Sequence, residues 1–464
     1  MTPVPSPISL QNITLSLLFL AILTPPLLAA APEKIFESAP ARIEKYRKGD
    51  VHLSLLGQDG KPLAGATVRV RQVRPEFLFG VSVFPLVYKL QMGNLKLPLK
   101  EGEPLQQFGK RCADLFNFAT LPYYWWGYEK ERGKPVHKSR ERIAAWCKER
   151  NITTKGHPLV WNYSQLPWLP DDLAEVEKLQ LAHVGNCVER FRGKVDVWDV
   201  VNETTNFAQA PNKARAPKVT AMWKKVGRIE LPRRAFRTAR KANPNATLLI
   251  NDFHVGDDFA EVVRGLVDEN GNPLYDVIGL QAHMQGGNWS NTKLWNVCER
   301  FAPFNKPVHF TELTILSGKK GWHRPAPWPS TPEGEAEQAR EVKRVYTLLF
   351  SHPAVEAITW WNLSDAHAWM QAPAGLLHKD MSPKPAYNVL KKLIKEDWRT
   401  ETSLTTDASG KATFRGFYGE YELMITTPDG GQKRIKNLEI RKSPQQKTTN
   451  WTVDGSREQK GKRG

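Results

Sequence analysis

Two glutamates stand at the ends of short apolar runs, where a barrel enzyme would place a pair of reactive carboxyl groups. Glu203 closes the segment WDVVNE, and Glu312 lies within HFTEL. The residues before them, 195–198 and 307–310, have the composition of buried parallel strands. Hydrolysis of a glycosidic bond requires one protonated carboxyl group beside the leaving oxygen and one carboxylate facing the anomeric carbon. The two glutamates therefore indicate glycoside hydrolysis.

Strand-like and helix-like stretches alternate between residues 77 and 398, which is typical of a (β/α)8 TIM barrel in the α/β class. The strands are predicted at 78–83, 114–119, 153–160, 195–201, 247–251, 277–282, 307–311 and 357–361. The clearest helical patterns are at 138–149, 172–192, 232–241, 335–350 and 385–395. Reactive groups in this fold come from the C-terminal ends of the strands. Glu203 is thus predicted to end the fourth strand and Glu312 the seventh.

Five further residues near the predicted strand ends have side chains suited to holding a sugar or a carboxylate. Asn202 is expected to hydrogen-bond a sugar 2-hydroxyl, a bond that strengthens in the transition state. His283 is expected to donate a hydrogen bond to the nucleophile and keep it ionised. His157 ends the third strand, while Trp361 and Trp369 follow the eighth and offer flat faces for the floor of a cleft. Each alone is more often a core or surface residue, but their order along the strands favours a site.

Short alternating segments on both sides of the barrel predict one discontinuous β-sandwich module. Residues 51–70 have the pattern of a β-hairpin around a central Asp-Gly pair, and residues 403–440 contain further strands and turns. Each segment alone has too few strands for a stable core. Residues 34–76 and 399–442 are therefore predicted to combine. Two separate small sheets beside the barrel are the alternative.

The two termini differ in composition from the rest of the chain. Residues 1–31 resemble a secretory signal, with an apolar run at 15–23 and small residues after it, although no Lys or Arg precedes the run. They predict a secreted or periplasmic protein with no stable membrane association after signal removal. A short membrane anchor is the alternative. Residues 443–464 are polar and rich in Lys and Arg, which predicts a disordered basic tail.

The composition of the 464-residue chain argues against several other functions. Lys and Arg total 66 against 48 Asp and Glu, a formal net charge of +18. The sequence contains no helix-turn-helix, zinc-finger or RNA-binding signature, so no nucleic-acid partner is expected. The four cysteines form no CxxC pair, so no metal site is expected, and free thiols or a disulfide stay open. The expected partner is a polysaccharide, hydrolysis needs no cofactor, and the oligomeric state is left open.

The motifs GHPLVW, WDVVNE, NDFH, GLQAH, FTEL and TWWNLSD occur in this order and resemble those of glycoside hydrolase family 10, the xylanase family. The resemblance covers residues 78–398. It implies a retaining mechanism on a β-1,4-xylan backbone, with Glu203 as the acid/base and Glu312 as the nucleophile. It also implies which residues surround the sugar whose bond is broken: His157, Asn202, Gln281, His283 and Trp361. Trp161, the last residue of GHPLVW, and Trp369 complete the predicted substrate-binding set.

Three departures from the family pattern fall near this site. Asn162 stands where family members usually carry a second histidine, and Thr314 where they usually carry an aspartate. After the second strand, a usual Glu-Asn…Lys group is replaced by the aromatic segment 122–126, which implies stacking in place of hydrogen bonds to the next sugar. The resemblance implies an endo-1,4-β-xylanase-like hydrolase, and the N-terminal segment predicts that it is secreted. A hydrolase for another β-glycan and a non-catalytic glycan-binding protein are the alternatives.

Overall fold

The computed structural model describes residues 32–93, 97, 103–322, 327–442 and 448–454. The strands in these residues are β1 (Lys48–Leu56), β2 (Thr67–Pro75), β3 (Leu78–Ser82), β4 (Phe118–Pro122), β5 (Thr153–His157), β6 (Val197–Asn202), β7 (Thr247–Asp252), β8 (Val277–His283), β9 (Val308–Thr314), β10 (Val355–Trp360), β11 (Glu401–Thr405), β12 (Lys411–Phe417), β13 (Gly419–Thr426), β14 (Gln432–Ile440) and β15 (Thr448–Asp454). The α-helices are α1 (Pro32–Glu37), α2 (Ala39–Arg47), α3 (Phe84–Gln91), α4 (Pro104–Leu115), α5 (Trp125–Tyr128), α6 (Lys138–Lys148), α7 (Leu173–Arg190), α8 (Ala210–Arg215), α9 (Pro217–Val226), α10 (Glu230–Ala242), α11 (Asp257–Gly265), α12 (Asn291–Phe301), α13 (Pro332–Ser351) and α14 (Pro385–Lys392). Short 3-10 turns cover Ala302–Phe304, Asp365–His367 and Trp369–Gln371, and a π-helical turn covers Leu393–Asp397.

Strands β3 to β10 close into a parallel barrel, which confirms the fold class predicted from the sequence. Strand β10 completes the closure by pairing with both β3 and β9. Helices separate the successive strands and cover the outside of the barrel, so the strands are buried on both faces. All residues of β9, for example, are buried. This two-sided burial explains why the strands are visible in the sequence as continuous apolar runs.

The second barrel strand begins later than the sequence predicts. A strand was expected at 114–119, but α4 continues to Leu115 and β4 begins at Phe118. Phe108, Cys112 and Leu115 are buried together on one face of α4, because residues three and four apart share a helix face. The apolar run at 114–119 therefore combines the end of a helix with the start of a strand.

Strands from both sides of the barrel form two further sheets. One has the strand order β12-β1-β15, and the other has the order β11-β2-β13-β14. Both sheets contain strands from before and after the barrel. Their buried faces share one apolar cluster, which includes Val68, Tyr421, Leu423 and Trp451. The two segments thus combine in each sheet, while the exact domain boundaries predicted from the sequence stay a proposal.

The hairpin predicted within residues 51–70 is wrong. Strand β1 pairs with β12 and β15, whereas β2 pairs with β11 and β13. Residues 57–66 therefore connect two sheets, and Val51 and Val68 face the shared core from opposite sides. Alternation in the sequence identifies the buried face of a strand. It does not identify the pairing partners, which here follow the barrel in the chain.

Residues 448–454 form strand β15, so the prediction of a disordered tail is wrong for this segment. The strand pairs in parallel with β1. Trp451 and Val453 are buried in the shared core, each with 6% of its surface exposed. Trp451 and Val453 alternate with polar residues over only a few positions, and the surrounding segment is rich in Lys, Arg and other polar residues. The sequence pattern therefore did not indicate a strand. Residues 443–447 and 455–464 lie outside the described residues.

Replacing Trp451 with alanine is expected to lower the free energy of unfolding by about 3–5 kcal/mol. The indole ring lies 5.7 Å from the rings of Phe414 and Tyr421, so its removal leaves a cavity in the sandwich core. Urea unfolding measures the change. Thr452→Ala is the matched control, because Thr452 is exposed on the same strand and its truncation should cost less than about 0.5 kcal/mol. If the free energy of unfolding changed equally little in Trp451→Ala and Thr452→Ala, the position of β15 would be contradicted.

The first residues of the predicted sandwich module form helices that contact the barrel and not the sandwich sheets. Arg47, the last residue of α2, is buried. Its guanidinium donates hydrogen bonds to the carbonyl groups of Phe350, His352 and Val355 at 2.5, 2.5 and 2.7 Å. These carbonyls belong to the end of α13, to the residue that caps it and to the start of β10. The predicted module at 34–76 therefore begins with two helices, and its strands start at β1.

The four cysteines are buried free thiols, which answers the question that the sequence left open: Cys112, Cys147, Cys187 and Cys298. Burial raises the pKa of Cys112 to about 12. It also raises the pKa of Cys187 to about 12, and the hydrogen bond with Tyr128 only partly offsets that effect. Both thiols are thus protonated at neutral pH, which makes them weak nucleophiles.

Among the described residues, no helix combines the length and the apolar composition that crossing a bilayer requires. The predicted signal segment at 1–31 lies outside the described residues. Its role stays a prediction.

Candidate active site

The mouth of the barrel holds the two carboxyl residues that the sequence singled out. Glu203 directly follows β6, and Glu312 lies in the C-terminal half of β9. The backbone of Glu203 takes the left-handed conformation, with φ at 58°, and its N–H donates to the carbonyl of Asn251 at 2.8 Å. This conformation ends the strand at Glu203. Both glutamates are thus held by the barrel framework.

A cleft of about 1050 Å³ opens at this mouth. Every catalytic or substrate-binding residue predicted from the sequence lines it: Glu203, Glu312, His157, Trp161, Asn202, Gln281, His283, Trp361 and Trp369. The C-terminal ends of parallel strands converge at one end of a barrel, which is why residues far apart in the sequence meet here. The roles of these residues stay proposals.

Glu312 is 5% exposed and has a polar partner at each oxygen. Asn251 Nδ2 donates to Oε1 at 3.0 Å, and His283 Nε2 lies 3.2 Å from Oε2. His157 Nε2 lies 3.8 Å from Oε1. Burial alone would raise the pKa of Glu312, but the nearby imidazole of His157 and the hydrogen bond from His283 outweigh it and lower the pKa below its ordinary value. Glu312 is therefore an anion at neutral pH.

A buried ion pair beneath the cleft orients His157. Lys155 Nζ and His157 Nδ1 each lie 2.7 Å from Asp199 Oδ2. Burial would raise the pKa of Asp199, but Lys155 and His157 lower it below its ordinary value. The ionised Asp199 thus fixes His157, while the charge of Lys155 also favours the anion of Glu312. Neither Lys155 nor Asp199 was predicted from the sequence, although a charged residue inside a buried apolar strand was a usable signal.

Glu203 accepts hydrogen bonds from three neutral donors. Trp161 Nε1 donates to Oε2 at 3.1 Å, while Gln281 Nε2 and Asn202 Nδ2 donate to Oε1 at 3.2 and 3.3 Å. Burial, followed by the negative charge of Glu312, raises the pKa of Glu203 to about 8. The carboxyl group is therefore mostly protonated at neutral pH, which is the state that an acid catalyst needs.

An amide network connects the two carboxyl groups. Asn251 Nδ2 donates to Asn202 Oδ1 at 2.8 Å as well as to Glu312. Gln281 Nε2 donates to Asn202 Oδ1 at 3.2 Å as well as to Glu203. The network holds Asn202 between the two glutamates. Asn251 was not predicted as a site residue from the sequence, although it begins the NDFH motif at the end of an apolar strand.

Aromatic rings form the wall of the cleft beside Glu203. Trp161 and Tyr163 are stacked, with ring centroids 4.6 Å apart and an angle of 23° between the planes. Tyr124 and Trp126 are also stacked, at 4.9 Å and 28°. The two pairs touch, because Trp126 lies 5.8 Å from Trp161 and 6.0 Å from Tyr163. Tyr124, Trp161 and Tyr163 of this wall line the cleft and offer flat faces to a sugar, and Trp161 also donates a hydrogen bond to the carboxyl group of Glu203.

The aromatic segment 122–126 contributes less to the cleft than the sequence suggested. Tyr124 lines the cleft. Tyr123 and Trp125 are buried in the barrel core, and Trp126 packs behind Tyr124. The predicted stacking surface after the second strand therefore narrows to Tyr124.

Tryptophans also line the side of the cleft near His283. Trp361 is buried, whereas Trp369 is 40% exposed and lies 5.1 Å from the His283 ring. Trp322, which is 49% exposed, lies 6.3 Å from Trp369. Trp322 lies outside the motifs quoted from the sequence, and Phe253, the third residue of NDFH, had been given no role. Their exposed rings add further stacking faces to the cleft.

Asn162, the first departure from the family pattern, lies beneath the cleft and is fully buried. Its Nδ2 donates to the Phe207 carbonyl at 2.7 Å and to Thr220 Oγ1 at 2.9 Å. Its Oδ1 accepts a hydrogen bond from Asn212 Nδ2 at 3.2 Å. Asn162 thus connects the loop after β5 by hydrogen bonds to the segment that follows Glu203.

Thr314, the second departure, supports His283. Its Oγ1 lies 2.9 Å from the Trp361 carbonyl and 3.0 Å from His283 Nδ1. The hydroxyl of Thr314 donates to the Trp361 carbonyl, which fixes its Oγ1 beside His283 Nδ1. A neutral side chain therefore orients the histidine that contacts Glu312.

The arrangement pairs a protonated carboxyl group with an ionised one. Glu203 has a proton to transfer, and Glu312 has a nucleophilic oxygen. In the part of the chain that the structure describes, no three His, Cys, Asp or Glu side chains are grouped so that they would hold a metal ion. The chemistry available to these residues is proton transfer combined with nucleophilic substitution.

Comparison with known proteins connects this chain to one family. The model of glycosyl hydrolase family 10 matches residues 123–393. Anti-sigma-I factor RsgI6 of Acetivibrio thermocellus is 23% identical over 407 residues, which cover 85% of this chain and 47% of that relative. Endo-1,4-beta-xylanase B of Thermotoga neapolitana is 27% identical over 327 residues, covering 66% of this chain and 87% of the relative. The chain thus spans about half of the first relative and most of the second.

A solved structure shows the same fold. Xylanase 10B from Thermotoga petrophila RKU-1, crystallised in complex with xylobiose, superposes with a TM-score of 0.56 at 24% sequence identity. The match covers 69% of this chain and 95% of that chain. At this level of identity, the similarity supports the barrel architecture and the order of its elements.

Proposed function

The chain belongs to glycosyl hydrolase family 10, and from this membership we propose that it is a retaining glycoside hydrolase that cleaves internal β-1,4 bonds of xylan. Glu203 is the acid/base, and Glu312 is the nucleophile. The observation that carries this proposal is the opposite direction of their pKa shifts, since the pKa of Glu203 is raised to about 8 and that of Glu312 is lowered. Environments that push two carboxyl pKa values apart assign one group to the acid and the other to the anion.

In the first step, Glu203 protonates the glycosidic oxygen while a Glu312 oxygen bonds to the anomeric carbon. The bond to the leaving oxygen breaks, and its electron pair stays with that oxygen. A glycosyl-enzyme forms on Glu312. The contacts of Glu312 with Asn251 and His283 hold the attacking carboxylate in place. Asn202 lines the cleft and hydrogen-bonds the sugar 2-hydroxyl. This hydrogen bond strengthens in the transition state.

In the second step, the ionised Glu203 removes a proton from water, and the water oxygen bonds to the anomeric carbon. Glu312 leaves as a carboxylate. The hydrogen bonds that Glu203 accepts from Trp161, Gln281 and Asn202 stabilise its ionised form at this stage. The two displacements each invert the anomeric carbon, so the product retains the configuration of the substrate.

Xylan is proposed as the polymer because the Thermotoga neapolitana relative is an endo-1,4-beta-xylanase. A hydrolase for another β-glycan is the second candidate. It is favoured by Tyr124, which offers an aromatic ring to the cleft where family members usually offer hydrogen-bonding groups. The two candidates share the mechanism and differ in the sugar that the cleft accepts.

The test is the release of reducing ends from xylan, β-glucan and mannan by the purified protein, with Glu312→Ala as the inactive control. We expect the protein to release more reducing ends from xylan than from β-glucan or mannan. We expect Glu312→Ala to release none. Preferential release from β-glucan or mannan would favour the second candidate. Binding to a polymer without release by the unaltered protein would contradict hydrolysis and favour a glycan-binding protein.

Activity is expected to follow a bell-shaped dependence on pH, because the competent free enzyme has Glu203 protonated and Glu312 ionised. As the pH rises through about 8, Glu203 loses its proton and kcat/KM falls. As the pH falls, Glu312 becomes protonated only below the ordinary range for a glutamate, so activity persists into mildly acidic solution. Initial rates on a soluble xylo-oligosaccharide between about pH 3 and pH 10 give this profile. If kcat/KM already fell with a midpoint near pH 5 as the pH rises, that result would contradict the raised pKa of Glu203.

We also propose that the protein is secreted or periplasmic, with residues 1–31 as the signal. The proposal rests on the apolar run and on the small residues that follow it. The mass of the mature N-terminus, measured after expression of the full chain, tests it. A protein that keeps residues 1–31 would contradict cleavage.

A further inference from the structure

A third carboxyl group lies buried beneath the cleft, and the proposed hydrolysis gives it no role. Asp252 is the last residue of β7, is fully buried and does not line the cleft. It directly follows Asn251, whose side chain binds Glu312. Among the described residues, no Lys or Arg forms an ion pair with Asp252. Hydrogen bonds must therefore compensate for its lost hydration, and their donors indicate what this carboxyl group does.

Asp252 accepts hydrogen bonds from two segments of the chain. Its Oδ1 accepts from Thr205 Oγ1 at 2.8 Å and from the His254 N–H at 3.0 Å. Its Oδ2 accepts from the Thr205 N–H at 3.0 Å, and Thr204 Oγ1 lies 3.4 Å away. Each oxygen thus faces a backbone N–H, which can only donate, so the geometry favours the ionised carboxylate.

These hydrogen bonds hold the turn that carries Glu203. The backbone of Glu203 has φ at 58°, a left-handed conformation that is unfavourable for a residue with a side chain and persists only where its surroundings hold it. The N–H of Glu203 donates to the carbonyl of Asn251 at 2.8 Å, and Asp252 binds Thr204 and Thr205 directly after the turn. The last two residues of β7 therefore hold the backbone on which the direction of the Glu203 side chain depends.

The charge of Asp252 also acts on Glu203. Burial is the largest cause of the raised pKa of Glu203, and the negative charges of Glu312 on β9 and of Asp252 on β7 raise it further. The hydrogen bonds from Gln281 and Trp161 act in the opposite direction. Asp252 therefore favours the protonated form of the acid/base from the side of the barrel interior.

Two other titratable groups face this pair of carboxyl groups. Burial raises the pKa of Asp252, and the hydrogen bonds of Thr205 and His254, together with the charge of His254, oppose that rise. Tyr124, in the loop after β4, faces Glu203, but burial raises the pKa of its phenol well above the ordinary value, so it stays neutral. The charges that act on Glu203 from neighbouring strands are thus negative.

We propose that Asp252 is a positioning residue of the hydrolysis, because its carboxylate holds the turn at Glu203 and places a negative charge beneath this acid/base. The proposal rests on the proposed function and adds a third carboxyl group, outside the cleft, to its machinery. The hydrogen bonds of Asp252 fix where the proton is delivered, which affects kcat because small displacements of a reacting group are costly. Its charge opposes the loss of that proton, which affects the pH profile.

The test compares kcat and the pH profile of kcat/KM on a soluble xylo-oligosaccharide for the unaltered protein and three variants. Asp252→Asn keeps the size of the side chain and removes its charge. Its alkaline limb is expected about one pH unit lower than that of the unaltered protein, because Glu203 loses its proton more readily without a negative neighbour. Its kcat is expected to fall about tenfold, because the turn is held less firmly.

Thr205→Val and Asp258→Asn complete the comparison. Thr205→Val removes one hydrogen bond to Asp252 and leaves its charge in place. Its kcat is expected to fall about three- to tenfold, while its alkaline limb stays near pH 8. Asp258→Asn is the matched control, because Asp258 is exposed in α11 shortly after β7 and does not line the cleft. It should change neither kcat nor the alkaline limb.

An unchanged alkaline limb in Asp252→Asn, or an equal shift in Asp258→Asn, would overturn the proposal and leave the hydrolysis standing. Full kcat in Thr205→Val would also overturn it, because the turn would then not depend on the hydrogen bonds of Asp252. Thermal unfolding shows whether Asp252→Asn is folded. If it is not, the kcat of Thr205→Val alone decides, with the same two outcomes.

A failure of the proposed function is distinguishable from a failure of this proposal. If the unaltered protein hydrolyses no oligosaccharide, the proposed function fails. Carbon-13 NMR titration of labelled glutamate carboxyl groups then decides the proposal, with the Glu203 signal assigned through its loss in Glu203→Gln. The midpoint of this titration is expected about one pH unit lower in Asp252→Asn than in Asp258→Asn. Equal midpoints in the two variants would overturn the proposal.

Discussion

Glu312→Ala is expected to lower kcat on xylan by about four to six orders of magnitude, because the variant has no oxygen to form the glycosyl-enzyme. In the native protein, this carboxylate is buried and is held by Asn251 and His283 at the floor of the cleft. Reducing-end assays over long incubations measure the loss. Thermal unfolding of the native protein and of Glu312→Ala checks that the variant is folded.

Glu356→Ala is a matched control for Glu312→Ala. Glu356 lies on β10, which pairs with β9, but its partner is Lys442 at 3.1 Å and it does not line the cleft. Its replacement should leave turnover unchanged. The identity of the nucleophile is checked with a 2-fluoro glycoside that traps the covalent intermediate. Mass spectrometry should find the label on the peptide that contains residues 308–314, and a label on another peptide would refute the assignment.

Glu203→Ala is expected to lower kcat/KM on xylan by about two to four orders of magnitude, the usual contribution of a general acid and base. The loss should be much smaller on an aryl glycoside with a good leaving group, because that group departs without a proton. Hydrolysis of the intermediate then becomes slow, since no base activates water. Added azide needs no base, so it should accelerate turnover and yield a glycosyl azide of retained configuration.

The pH profile gives an independent check on Glu203. The fall in activity above about pH 8 is attributed to the loss of its proton, so this limb should be absent in Glu203→Ala with the aryl glycoside. An unchanged alkaline limb in the variant would assign that titration to another group. A failure of azide to accelerate turnover, together with an unchanged profile, would remove Glu203 from the mechanism.

The sequence was most informative about the barrel and the residues at its strand ends. Parallel barrel strands are buried on both faces, so each leaves a local apolar run. The polar residue that ends such a run points to the mouth of the barrel, which is why Glu203, Glu312 and His283 could be identified without a structure. The error at 114–119 arose where two buried elements, α4 and β4, follow each other closely, because an apolar run alone does not separate a helix end from a strand start.

The sequence was least informative about pairing between distant segments. The alternation in β1 and β2 correctly indicated strands, but their partners follow the barrel in the chain, so the hairpin prediction was wrong. The strand at 448–454 was missed for a related reason. Its Trp451 and Val453 become buried only against the core that the earlier strands provide. In isolation, the segment has the composition of a polar tail.

Taken alone, the sequence determined the barrel, the strands β1 and β2, and the two glutamates with seven of the residues around them, because these follow from local patterns of burial and from the rule that strand ends converge. Only the tertiary structure decided how those residues act on one another. It brought Asn251 to Glu312 and placed Tyr124 rather than its aromatic neighbours in the cleft. It also set the opposite pKa shifts of Glu203 and Glu312. Those shifts depend on burial and on charges a few ångströms away in space, and such neighbours are far apart in the chain.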